Sequence, residues 1–267
     1  MRWKGRRQSR NVVDRRSLSG RSMDLGGLLI GALVVYLMGG DPLLFLTQNM
    51  DQVQPGTSSK SASTGSQQEE DSKAFVAVVL ADTEDVWTSE FGKSSEHYEA
   101  PKLVLCRGRV DSTCGMANSA SGPFYFPLDH QVYLDLTFFD ELSTRLGARG
   151  DFAGAYVVAH EVGHHIQNIT GVLQARRHGD NPQLVQIELP ADCLAGVWAR
   201  QTEQAGVLED GDIDGALGAA AAVWDDRLQK QAQGYVVPDS FTHGTSAERA
   251  NAFRKGNTGG RLDSCKI

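Results

Sequence analysis

His160-Glu161-Val162-Gly163-His164 limits this chain more than any other stretch of it. A helix turns once in about 3.6 residues, so side chains at i and i+4 stand one above the other on a single face. Two imidazoles at that spacing can point at one metal ion. The glutamate directly after the first histidine lies beside such an ion, where it can accept a proton from a water held there. The pattern predicts a helix over residues 152–169 that carries the machinery of a zinc-dependent peptidase, with one zinc ion.

Catalytic zinc typically takes three protein ligands and keeps a fourth position open. On this reading Glu188 is the third ligand, and Asp192 falls four residues later on the same helical face. There its carboxylate can accept a hydrogen bond from the free nitrogen of a ligating histidine and so fix the tautomer. Both acids interrupt an apolar run, residues 183–199. A carboxylate aimed at a core is costly unless it is paired or binds a metal, which argues against two ordinary surface acids. His165 lies about 100° around the helix from His164 and is left out of the ligand set. Pro190 removes a backbone donor and crowds the carbonyl of Gln186, so the helix either bends there or has Glu188 in its first turn. Thr245 or Ser246 reads as the cap of a last helix over residues 246–255. That segment brings His243 forward as a further catalytic candidate, with Arg249 as a group that could stabilise an oxyanion or steady the ligand helix.

A chain of 267 residues that is 40% hydrophobic and 22% charged suits one or two globular domains. Its charge is uneven. Eight Lys or Arg fall within residues 1–22 against the single acid Asp14, and the remainder holds 18 basic residues against 32 acidic ones. An acidic body excludes a nucleic-acid partner, which needs a basic face. The basic stretch leads into an uncharged run, residues 25–40, which resumes after Asp41-Pro42 as Leu43-Leu44-Phe45-Leu46. Extended to residue 46, the run is long enough to span a bilayer. Positive charge kept in the cytoplasm then orients the rest. The expected organisation is a basic cytoplasmic tip (1–24), a single transmembrane anchor (25–46), a flexible linker rich in Ser, Gln, Thr and Gly (47–72) and an extracytoplasmic domain (73–267). The expected location is the cell membrane, in single-pass form. Four cysteines fit an oxidising compartment, and the closely spaced Cys106 and Cys114 are the candidate disulfide.

Within the body, helical spacing covers 73–91, and short strands fit 102–106, 123–126 and 132–136. Helices fit 137–146, 152–169, 182–204, 212–231 and 246–255. Short strands followed by a helix-rich second half make an α+β domain with a small sheet. The helix over 152–169 is apolar on most sides, which places it in the centre of the core.

Beyond these local readings, MRWKGRRQSRNVVDRR, GPFYFPLDHQVYLDL, HEVGHHIQNITGV, ELPADCLAGVWA, DDRLQ and FTHGTSAERANAFRKG together give a resemblance. The chain resembles a family of bacterial membrane-anchored neutral zinc metallopeptidases. The resemblance implies a zincin-like domain with a gluzincin-like arrangement, zinc held by His160, His164 and Glu188, and Asp192 supporting a ligand histidine. It also implies an edge strand that pairs with substrate backbone across the cleft, for which residues 123–136 are the candidate. The chain departs from the family pattern at Phe126, where members carry Cys, and at Pro190, where they carry Gln. The first departure leaves the pairing of Cys193 and Cys265 open, and the second leaves the geometry around Glu188 open.

The resulting expectation is a membrane-tethered metalloendopeptidase that hydrolyses peptide bonds in extracytoplasmic proteins or peptides, with Glu161 activating the zinc-bound water. The alternative is a non-hydrolytic, zinc-bearing module that binds partners at the membrane. The intact Glu161 favours the enzyme, because a binding module has no use for a base there.

Overall fold

The computed structural model describes residues 1–16, 66–106, 123–144, 151–175, 181–220 and 243–265. In chain order the elements are β1 (Val12–Asp14), α1 (Gln67–Gly92), β2 (Lys102–Cys106), β3 (Phe124–Phe126), β4 (Gln131–Asp135), α2 (Thr137–Thr144), α3 (Asp151–Ile169), α4 (Val172–Ala175), α5 (Asn181–Gln204), α6 (Asp212–Ala220) and α7 (Ser246–Gly259). A 3₁₀ turn, Leu262–Cys265, closes the described chain. This is a helix-rich α+β fold with a small sheet.

The described strands form one sheet in the order β1-β2-β4-β3, parallel from β1 to β4 and antiparallel between β4 and β3. Period-two alternation sorts its side chains. Leu103, Leu105, Val132 and Leu134 face the main core, while Val104 and Tyr133 pack in a smaller cluster with Cys106. The antiparallel pairing of Phe126 with Gln131 leaves residues 127–130 as a tight connection, with His130 in the left-handed region at φ 58°. Asp129 holds that turn by accepting from the Gln131 N–H and the Tyr133 hydroxyl.

A helix that is apolar nearly all round has no face to give to water, and α3 lies inside the body accordingly. Phe152, Ala155, Val158, Val162 and Ile166 join the core with Val76, Val79, Leu80 and Trp87 of α1 and Leu194, Val197 and Trp198 of α5. Phe152 stacks on Trp198 with ring centroids 5.6 Å apart. Against α5 lies α7, and two glycines set how close they come. A Cβ on Gly256 would sit 1.8 Å from the Cys193 carbonyl oxygen, and one on Gly196 would sit 2.0 Å from that of Phe253. A disulfide between Cys193 and Cys265, 72 residues apart, fastens the same two regions covalently. Cys106 is also disulfide-bonded, to a partner outside the described residues.

The amino-terminal segment differs from its expected place. Residues 1–16, read from their basicity as a tip parted from the body by a bilayer, belong to the body: β1 is a strand of its sheet. Three of the charges that suggested a cytoplasmic tip have acidic partners on α1. Arg7 meets Glu84 at 2.9 Å and Asp85 at 2.7 Å, Arg6 meets Asp82, and Arg16 meets Glu70 at 2.7 Å. The linker is also shorter than composition implied. Ser66 caps α1 in a reciprocal capping box with Glu69, so the helix begins at Gln67 rather than at Lys73. The expected anchor, residues 25–46, lies outside the described residues. Among the described residues no helix is long and apolar enough to cross a membrane.

The disulfide yields a direct expectation. Closing a loop of this size restricts the unfolded chain by about 4 kcal/mol in the chain-entropy model. Replacing Cys193 and Cys265 by serine should therefore lower unfolding free energy by about 2–4 kcal/mol, measured by denaturant titration of the metal-loaded protein.

Candidate metal centre

The helical spacing of His160 and His164 does what geometry requires, and their rings stand 4.7 Å apart on one face of α3. Glu188 approaches from α5. Its Oε2 lies 3.1 Å from His160 Nε2 and its Oε1 lies 3.4 Å from His164 Nε2. Ligand atoms about 2.0–2.1 Å from a tetrahedral zinc are about 3.3 Å from one another. The three residues, whose ligand atoms all lie within 4.8 Å of one another, therefore form a set that could hold one ion.

Charge agrees with geometry. Glu161, Glu188 and Asp192 bring three carboxylates to this buried place and Arg249 brings one guanidinium. With both imidazoles neutral, as metal ligands must be, the excess is two negative charges, which one divalent cation cancels. Protons feel the same field. Burial works against a charged His160, but the Asp192 carboxylate outweighs it and raises this imidazole to about 10. Burial likewise opposes charge on His164, and Glu188 raises it. Burial would also raise Glu188, yet the two histidines hold it well below the ordinary carboxylate range. Glu161 is shifted upward by burial, the direction that suits a proton acceptor.

Around the three ligands a second layer fixes orientation. Asp192, completely buried, lies 2.9 Å from His160 Nδ1 through Oδ1. Arg249 reaches the same carboxylate from α7 with both sides of its fork, Nε to Oδ2 at 2.6 Å and Nη2 to Oδ1 at 2.8 Å. The Tyr156 hydroxyl donates to Oδ1 as well. With Asp192 held in place, His160 Nδ1 carries the hydrogen and Nε2 presents a lone pair to the metal position. His164 is oriented differently. Its Nδ1 lies 2.9 Å from Gln167 Oε1, and the Gln167 amide donates to the Ile187 carbonyl at 2.6 Å. Gln167 thus braces α5 just ahead of Pro190, where the helical ladder loses a donor. The helix continues through Pro190, so Glu188 stands within α5 and not at its start. Gly163 explains the small residue inside the motif: a Cβ there would fall 2.9 Å from the Ala191 carbonyl oxygen.

His165 faces away from the metal position. Fully buried, it bonds the Glu99 carbonyl through Nε2 at 2.7 Å and meets the Tyr125 hydroxyl through Nδ1 at 3.1 Å. Burial depresses its pKa to about 4, so the ring is neutral at pH 7. Asn168 donates to the Tyr125 hydroxyl and to the Pro127 carbonyl. Together they clamp β3 to α3. Arg249, within α7, reaches the site. His243 stands exposed next to Gly244, which rests near Val185 and Leu189 of α5. Sequence reasoning missed Gln167 altogether; its place three residues after His164, in the same helical turn, was the available signal.

A buried helix with paired histidines, met by a carboxylate from a later helix, is an arrangement that could hold one metal ion. The chain belongs to the family described as "Putative neutral zinc metallopeptidase", whose model matches residues 1–267. It is 46% identical to the uncharacterized protein YpfJ of Escherichia coli K12, over 99% of this chain and 98% of that one. It is 40% identical to the uncharacterized protein Rv2575 of Mycobacterium tuberculosis H37Rv, over 86% of this chain and 83% of that one. No solved structure matches it.

Alanine in place of His160, His164 or Glu188 should abolish stoichiometric zinc binding, measured by elemental analysis of dialysed protein. Asp192→Asn should weaken zinc by about 10- to 100-fold, and Arg249→Met should shift affinity in the same direction. Competition against a chromogenic chelator measures both, with circular dichroism to confirm the fold.

Proposed function

We propose that the protein is a zinc-dependent peptidase that hydrolyses peptide bonds in extended polypeptide segments, with His160, His164 and Glu188 as the zinc ligands. The observation that carries this reading is the position of Glu161. It is buried beside the ligand cluster and shifted by that burial toward accepting a proton. Zinc, when bound, supplies a Lewis acid for the scissile carbonyl and lowers the pKa of a coordinated water toward about 7.

The chain's own residues supply the rest. Glu161 takes one proton from the attacking water as the C–O bond forms. It passes that proton to the leaving nitrogen as the C–N bond breaks, so water is consumed and a carboxylate and an amine are released. Asp192, held by Arg249, keeps His160 in the ligating tautomer throughout. The outer strand β3 offers an edge to which an extended substrate can add as a further strand. Next to it, Phe126 and Leu128 are the exposed large apolar side chains among the described residues, at 42% and 73% exposure. They suit contact with apolar side chains of such a substrate. A binding module without hydrolysis is disfavoured by the same Glu161, because a buried carboxylate costs stability that mere metal binding does not require.

Glu161→Gln tests the reading. It should retain one zinc per chain and lower cleavage of a mixed peptide library by at least about 100-fold, the scale of a lost general base, as followed by mass spectrometry. A chelator should stop the wild-type reaction, and added zinc should restore it. Undiminished cleavage by the zinc-loaded variant would remove Glu161 from the mechanism.

A further inference from the structure

The first sixteen residues carry an inference that does not depend on the peptidase reading. They are held to the body along their whole length. Backbone bonds run from Arg2 N–H to the Val207 carbonyl at 2.8 Å and from Ser9 N–H to the Ala77 carbonyl at 2.9 Å. At the end of the segment, Leu103 N–H donates to the Asn11 carbonyl and Arg15 N–H to the Leu105 carbonyl, each at 2.9 Å. Between them β1 pairs in parallel with β2, Val12 opposite Leu103 and Asp14 opposite Leu105. Side chains add to this. Trp3 donates to Asp151 at the start of α3 and packs edge-on against Phe75, and the Asn11 amide donates to Glu84.

Both ends of the interval 17–65 are tied to one spot on the body. Arg16 bonds Asp14 and Glu70, each at 2.7 Å, and Lys73 bonds Asp14 at 2.8 Å. The last residues before the interval and the first helical turns after it thus share one ion-pair cluster. A chain that leaves a domain and returns to the same domain crosses any membrane an even number of times. Two crossings would need about 40 apolar residues. The sequence offers a single apolar run, residues 25–46, interrupted by Asp41-Pro42, and residues 47–65 are largely Ser, Thr, Gln and Gly. Polar chain cannot return through hydrocarbon with its backbone groups unsatisfied.

We infer that the amino-terminal segment and the metal-binding body lie on the same side of the membrane, so the chain is not a single-pass protein with its tip on the far face. Arg6, Arg7 and Arg16 serve as partners for the acids of α1 and not as a retention signal. Whatever hold the apolar run has on a bilayer, it is reached from one side only.

Two single-cysteine variants of the full chain, Arg10→Cys and Glu96→Cys, decide the matter. Both positions are exposed, one in the amino-terminal segment and one beyond α1, and among the described residues there is no free cysteine to compete. Spheroplasts expressing each variant are treated with a membrane-impermeant maleimide, with permeabilised cells as the full-labelling reference. Intact mass confirms that the labelled chain still carries both segments. Equal labelling of the two positions, whether both react or neither does, is the expected result. Labelling of one position at more than about tenfold the extent of the other, or loss of residues 1–16 from the chain that bears the body, would overturn the inference.

Discussion

Asp192 is the residue on which the rest of the structure turns. It has no exposure to solvent, and an isolated carboxylate in such a place costs several kcal/mol. Burial would raise its pKa, but the Arg249 guanidinium and the His160 ring hold it below the ordinary value. Asp192 itself is on α5, and its partners come from two other helices, Tyr156 and His160 from α3 and Arg249 from α7. One charged group therefore sets the relative position of all three. The disulfide from Cys193, the very next residue, and the glycine contacts between α5 and α7 act on the same junction. Metal geometry and global stability share these contacts.

The two histidines of the motif are oriented by different means, and this has a consequence for chemistry. His160 is backed by a carboxylate that is itself neutralised by Arg249, so the ring gains basicity without adding net negative charge behind it. His164 is backed by the neutral amide oxygen of Gln167. The negative excess is thereby concentrated in front of the rings, at Glu188 and Glu161, where the cation and the reacting water belong. An arrangement with unpaired acids behind both histidines would bind a cation as well but would blunt its acidity toward substrate.

How much of this was legible in the sequence follows from the range of each interaction. His160, Glu161 and His164 are related by one helical turn, and the relation is readable because it is local. Glu188 and Asp192 were readable as a pair four residues apart in an apolar run, where a carboxylate needs a reason. The elements of the body appeared near their observed places, because period-two and period-3.6 patterns are set by burial. What was not legible is pairing between distant segments. Asn11 to Leu103, Arg7 to Glu84 and Arg249 to Asp192 are separated by 57 or more positions, and no local pattern announces them. The ion pairs of Arg6, Arg7 and Arg16 were hidden for that reason: positive charges beside an apolar run carry the same local signature whether they face phospholipid or the acids of a neighbouring helix. Gln167 and His165 were passed over because a polar residue near a motif can be ligand, brace or bystander, and only the partner decides.

The stretch from His160 to Asn168 shows why a motif of this family extends beyond five residues. At about 100° per residue, a buried helix must satisfy every direction in turn. His160 and His164 face the metal position; Glu161 faces the outer strand; Gly163 yields to the Ala191 backbone; Gln167 braces α5; His165 and Asn168 grip Tyr125 and Pro127. None of these directions is water, so none is tolerant. A helix clamped on one side by β3 and on the metal side by α5 cannot rotate to relax an altered ligand. Rigidity of that kind suits a catalyst, whose base and ligands must hold their separation while the substrate changes shape.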